Sequence, residues 1–344
     1  MLNGNAVRKN FTFSSDAEAE KLLQDVLSGL HSVLVSTGLS VYLGGSYGRG
    51  DGGVRQDREN GVLYNDLDLF VFAEKKPVAG TDALLKEIAR SYKNRLKVDV
   101  DFSRIMTVQD IRNNAQRLMM QELKRGYVLI CGKDLLEEHL LEIPAENLPY
   151  SEACRLLLNR GMGLLLAADK LASNSADTDF ILRNLYKAIL GAWDAILIAS
   201  GNYQWKIGDR LEAIRKSELP AIWKELYREA VDFKHSPHRV KKEDMNDFWC
   251  ETRAFLCSAL FRCAGVSVAS DLTDGFCKEH KKRGELNWKN YIKYCIRTRQ
   301  LFVGLQYRIP SVTMLLTDLY AALAAGPGKL DFESNLYRQW QIFN

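Results

Sequence analysis

An α+β fold is predicted for this 344-residue chain, with a mixed strand-and-helix domain at residues 1–147 and an all-α domain at 148–344. Short β-forming runs alternate with helical patterns over the first 140 or so residues. Helical spacing alone continues afterwards, and prolines at 144 and 149 interrupt the chain between the two textures. At roughly 150 residues per domain, the length suits two bodies that each bury a core.

The elements follow in order. Ser14 or Ser15 can cap a helix whose apolar positions Leu22, Leu23, Val26, Leu27, Leu30, Val33 and Leu34 recur at helical spacing, and Gly38 ends it. Leu39 to Leu43 reads as a strand that runs into Gly44-Gly45-Ser46-Tyr47-Gly48-Arg49-Gly50. A polar stretch from Asp51 to Asn65 precedes Asp66 to Phe72, which alternates like a half-buried strand. A helix over 82–94 leads to a second alternating run, Leu96 to Phe102. One helix over 108–124 and a strand from Tyr127 to Cys131, stopped by Gly132, complete the domain. Beyond Leu148 the runs 155–171, 179–200 and 243–263 are helical. The loops 173–178 and 234–242 are polar, and His235 and His238 in the second are read as structural.

Composition narrows the function classes. A 47% hydrophobic and 26% charged chain is an ordinary globular one, not a disordered one. No apolar run approaches the ~18 residues of a spanning helix, and Arg8 and Lys9 lead into a polar, acidic segment and not a secretory signal. A cytoplasmic protein with no membrane partner is expected. Seven cysteines without a C-x-x-C pair read as reduced core residues. The net charge of +4, from 47 basic and 43 acidic side chains, is too small to mark a nucleic-acid binder.

Acidic residues carry the chemistry. Asp66 and Asp68 lie two apart on a strand, so both project from one face about 7 Å apart, a spacing that lets hard oxygen ligands grip Mg2+ or Mn2+. Asp99 on a neighbouring strand would complete a two-metal site, and Asp101 faces the same way, so the third acid stays open between them. Such acids repel one another until a cation joins them. Gly44, Gly45, Gly48 and Gly50 let backbone N–H groups approach phosphate oxygens, Ser46 adds a hydroxyl, and Arg49 adds a charge.

This ordered set, G-G-S, then D-x-D, then V-D-V, resembles the nucleotidyltransferase domain of the DNA polymerase beta superfamily through Gly45, Ser46, Asp66, Asp68 and Asp99, over residues 15–135. The resemblance implies a polymerase-beta-like N-terminal domain and an ATP- or other NTP-dependent transferase. Such an enzyme moves a nucleoside monophosphate, with magnesium, to a hydroxyl or other acceptor and releases pyrophosphate. The interval between Ser46 and Asp66 is longer than in compact members and reads as an inserted loop. Residues 185–203 are similar in texture to the helical partner domain of antibiotic-type nucleotidyltransferases. That likeness implies Lys187 on the triphosphate and Asp194 as acceptor of a proton, with an internal ion pair or a polar helix face as the competing and favoured reading. Asn159 and Arg160 are open between a nucleotide contact and a structural anchor. A small-molecule acceptor is favoured over RNA or a protein, and a binding protein that keeps the fold without turnover is the alternative. The basic, aromatic segment 278–299 is expected to be a solvated helix face with its aromatics packed inward.

Overall fold

The computed structural model describes residues 10–55, 62–75, 77, 79–173, 175, 177–237, 244–299 and 305–343; His238 and Glu243 lie outside them. The fold is α+β. The chain divides into two compact units, Met1–Ile143 with Asp232–Lys241 and Pro144–Val231 with Lys242–Asn344. The sequence placed one boundary at 147/148 and did not anticipate that a later segment rejoins the first unit.

The first unit opens with α1 (Ala17–Leu34). Asp16, not Ser14 or Ser15, is its N-cap, its carboxylate accepting from the Ala19 N–H at 3.0 Å. Leu23, Val26, Leu27, Leu30 and Leu34 are buried, at about 1.5–3 kcal/mol for each large apolar side chain removed from water. Val33 is instead 49% exposed. Gly38, with φ of 70°, turns the chain into β1 (Ser40–Leu43). The five-residue helix α2 (Gly45–Arg49) follows, then β2 (Leu67–Ala73), α3 (Thr81–Leu96), β3 (Val100–Phe102) and β4 (Met106–Thr107).

The helix expected over 108–124 is two helices, α4 (Val108–Asn113) and α5 (Leu118–Arg125). A reciprocal Thr107–Asp110 capping box starts α4, and Asn114 ends it by leaving helical geometry while its side-chain amide donates to the Asp110 carbonyl at 2.7 Å. β5 (Val128–Cys131) and α6 (Leu135–His139) close the run.

The sheet is mixed, in the order β3–β2–β1–β5, with β4 also on β2. β1 is antiparallel to β2 and β5, whereas β3 and β4 run parallel to β2. Alternation gives each face its own core. Val41, Leu43, Leu67, Leu69 and Val71 pack with α1 and α3, while Tyr42, Phe70, Phe72 and Met106 pack with α4, α5 and α6. Asp66 and Asp68 share the parity of Phe70 and Phe72, so they occupy the same face at the other end of the strand.

Described by itself, the second unit is helical: α7 (Tyr150–Ala172), α8 (Thr178–Ala199), α9 (Ile207–Lys216), α10 (Ala221–His235), α11 (Met245–Ala264), α12 (Leu272–Lys282), α13 (Trp288–Thr298), α14 (Ser311–Ala324) and α15 (Asn335–Phe343). The last turn of α10 belongs to the first unit. α7 packs on α8 and α14, and α11 packs on both α7 and α8. All seven cysteines are free. Among the described residues no single helix is long and apolar enough to cross a membrane.

Candidate functional site

The parallel register fixes the acids. Leu67 pairs with Val100, and Asp68 therefore stands beside Asp101 on one face of the sheet. Asp66 shares that face two residues earlier, and the N–H of Leu67 donates to the Asp99 carbonyl at 2.9 Å. The aspartates of the two strands are neighbours at the N-terminal ends of β2 and β3.

Asp99 and Asp101 are not equivalent. The Asp99 carboxylate is ion-paired with Lys93 of α3. Desolvation comes first among the causes that raise the Asp101 carboxyl above the ordinary aspartate value, followed by the charges of Asp66 and Asp99, although its side chain stays accessible to solvent. The register distinguishes the two acids that the sequence left open: Asp101 is the residue opposite Asp68, and Asp99 has a basic partner of its own.

The glycine turn approaches the acids from β1. The Gly44 N–H donates to the Asp68 carbonyl at 2.8 Å, joining the turn to the strand that carries the D-x-D pair. Gly45 has φ of 58°, and a β-carbon there would collide with the Asp68 carboxylate. A β-carbon on Gly44 would strike Phe70 and Leu123. The glycines therefore serve close packing onto β2 as well as flexibility. Ser46 is part-exposed on α2. Arg49, expected to neutralise phosphate, is ion-paired with Glu122 of α5 at 3.3 Å.

Several groups behind the turn escaped the sequence reading. The buried Tyr47 hydroxyl donates to the Gly53 carbonyl at 2.9 Å and accepts from the N–H groups of Tyr64 and Asn65 at 3.0 and 3.2 Å. The start and end of the inserted stretch 51–65 are thereby held together. Asp51 is ion-paired with Lys234 and with His235, whose Nε2 lies 2.6 Å away, and Phe13 stacks on the imidazole at 3.8 Å. Burial alone would raise the Asp51 carboxyl. The His235 hydrogen bond and the Lys234 charge outweigh it and hold Asp51 well below the usual carboxylate range.

In the second unit, Asp194 is ion-paired with Arg210 at 3.4 Å, both side chains largely buried, which is the competing reading of that aspartate. Lys187 is exposed on α8. Asn159 accepts from the Trp340 indole N–H at 3.1 Å, and Arg160 lies against Gly191, where a β-carbon would strike its side chain. His280 lies 2.9 Å from both Glu285 and Thr313 and 3.8 Å from Cys154 Sγ. Cys154 and His280 are fully buried, and Glu285 is partly exposed. Desolvation pushes the Cys154 thiol up to about 12, so no thiolate forms for nucleophilic attack. Glu285 also accepts from the Tyr150 and Ser151 N–H groups, which makes the network an anchor for the first turn of α7.

A divalent ion is implied by the resemblance, and the donor set of the first unit matches it in kind: Asp66, Asp68, Asp99 and Asp101 offer only hard carboxylate oxygens. Among the described residues no three His, Cys, Asp or Glu side chains already converge as a metal cage. The chain matches no protein-family model, and neither curated proteins nor solved structures gave a match.

Proposed function

We propose that the first unit carries out metal-assisted nucleotidyl transfer, in which a nucleoside triphosphate gives its nucleoside monophosphate to an acceptor and releases pyrophosphate. One juxtaposition supports this above all: Asp68 lies beside Asp101 on parallel strands, with Gly45 of the G-G-S turn pressed against the Asp68 carboxylate. A solvent-facing edge would have no reason to bring a glycine turn onto its aspartates.

Asp66, Asp68 and Asp101 would hold a divalent ion, Mg2+ or Mn2+, whose Lewis acidity offsets the charge of the transferring phosphoryl group. Ser46 and the turn amides would orient the triphosphate. The acceptor oxygen or nitrogen bonds to the α-phosphorus, the bond to pyrophosphate breaks, and the acceptor's proton leaves to the acid-lined edge or to water. A small hydroxylated or aminated molecule is the favoured acceptor, because the chain's charge nearly balances and RNA recognition needs a basic field.

The test is incubation of the whole chain with labelled nucleoside triphosphates, magnesium and a metabolite extract. Pyrophosphate release with label transfer is expected, and Asp66→Asn or Asp68→Asn should lower it by about a hundredfold or more. Transfer retained in the double variant overturns the proposal. Nucleotide binding without release points instead to a binding protein that keeps the fold without turnover.

A further inference from the structure

We propose that α13 is a docking surface for an anionic lipid bilayer. Nothing in this proposal depends on nucleotidyl transfer.

The inner side of α13 is fixed to the second unit. Asn287 caps it, its side chain accepting from the Lys289 N–H at 2.8 Å. The Asn287 backbone N–H and the Asn290 side-chain amide both donate to the Arg308 carbonyl at 3.0 Å. Tyr294 and Cys295 are buried, with the Tyr294 ring 4.1 Å from that of Tyr307.

The outer side carries hydrocarbon in water. Trp288, Ile292 and Ile296 recur at four-residue intervals and so form one row along the helix. They are 53%, 53% and 72% exposed. The expectation of inward-packed aromatics holds for Tyr294 and fails for Trp288, whose ring meets Tyr291 edge-on at 5.8 Å and the Arg308 guanidinium at 4.6 Å.

A second row runs beside the first. Lys289, Lys293 and Arg297 each follow an apolar residue by one position, about 100° round the helix. Segment 278–299 holds eight basic and two acidic residues. Both acids are committed within the fold, Glu285 to His280 and the start of α7, and Glu279 to Arg283 at 3.5 Å. The outer side of α13 is thus hydrocarbon flanked by positive charge.

That pairing selects the occupant. Isoleucine tips one turn apart suit acyl chains, an indole suits the headgroup boundary, and lysine and arginine stems reach lipid phosphates. RNA would engage the basic row and Trp288 but leave Ile292 and Ile296 in water. A second copy of this chain would set like charges against each other.

The experiment is vesicle flotation of the full chain at low salt, using phosphatidylcholine alone and phosphatidylcholine with about one-third phosphatidylglycerol. Binding at least about tenfold stronger to the anionic vesicles is expected, falling as salt rises. Ile292→Glu with Ile296→Glu should reduce it about tenfold or more, and Lys289→Glu with Lys293→Glu should remove the preference for phosphatidylglycerol. These positions are exposed, so the far-UV circular dichroism and melting curve should not change. No flotation with anionic vesicles overturns the proposal, as does flotation that neither variant alters. Two further results also overturn it: concentration-dependent dimers abolished by the isoleucine variant, and polyuridine binding abolished by the lysine variant where flotation is absent.

Discussion

Gly45 is where the phosphate-like turn and the acidic strand become one structure, because its bare α-carbon leaves room for the Asp68 carboxylate. Gly45→Ala adds a β-carbon at a φ of 58° as well as a collision, and should cost at least about 2 kcal/mol in urea unfolding. Ser46→Ala, on a part-exposed side chain, should leave the unfolding midpoint in place and lower transfer only. The two candidate third acids separate by the same kind of measurement. Asp101→Asn should match Asp68→Asn in its loss of turnover, and Asp99→Asn should retain most of it, since Asp99 already answers Lys93. Equal losses for both would mean that the pairing with Lys93 opens during the reaction. The D-x-D pair was legible because strand side chains repeat every two residues. The choice between 99 and 101 was not, because both have the same parity and only the pairing with β2 tells them apart. The Arg49–Glu122 pair was not legible for a related reason: Glu122 sits on a different element, at a separation that no local pattern encodes.

At the scale of elements, the stretch 51–65 is fastened at both ends, and the fastening has a measurable acid signature. Tyr47→Phe would leave the Tyr64 and Asn65 N–H groups and the Gly53 carbonyl without their shared hydroxyl, at a cost of about 1–3 kcal/mol in urea unfolding. Asp51 gives the pH dependence. Its pKa is lower folded than unfolded, so its contribution is complete at neutral pH. That contribution is lost as pH falls below about 4, the range of an unfolded aspartate, and through the lower native value. Asp51→Asn should therefore be less stable than the parent at pH 7, and the difference should shrink as the solution is acidified. A difference that stays constant with pH would rule out an ionised Asp51 as the source. Sequence spacing found β1, β2, β3 and β5 with α1 and α3 because periodicity is local, and it did not mark the two-residue β4 or the short α2 and α6. It missed the break between α4 and α5, where the Thr107–Asp110 box and Asn114 override a continuous apolar pattern, and it read His235 as structural without finding its partner, because Asp51 is far away along the chain.

For the whole molecule, the path of the chain matters more than a division at 147/148. The texture change at the two prolines was visible, since strands stop where helices take over. The return of residues 232–237 to the first unit was not, because nothing in the sequence at the end of a helix announces where it packs. This has a direct consequence for dissection. A fragment ending at Asn147 lacks Phe233, Lys234 and His235, so Tyr64 loses its edge-on aromatic neighbour, Phe13 its stacking partner and Asp51 both its Lys234 ion pair and its His235 hydrogen bond. Removing the partners of a largely buried charge costs about 3–5 kcal/mol, a large share of a domain's net stability of about 5–15 kcal/mol. The fragment should thus be expressed in poor yield or show broad, early melting, where the full chain melts cooperatively. Asp51→Asn within the fragment removes the orphaned charge and should recover part of the lost melting temperature, although the same substitution destabilises the full chain. This reversal of sign between the two backgrounds is the specific expectation, checked by thermal unfolding of four proteins in one buffer. A fragment that melts like the full chain's first unit, with or without the substitution, would show that segment 232–237 contributes nothing to it.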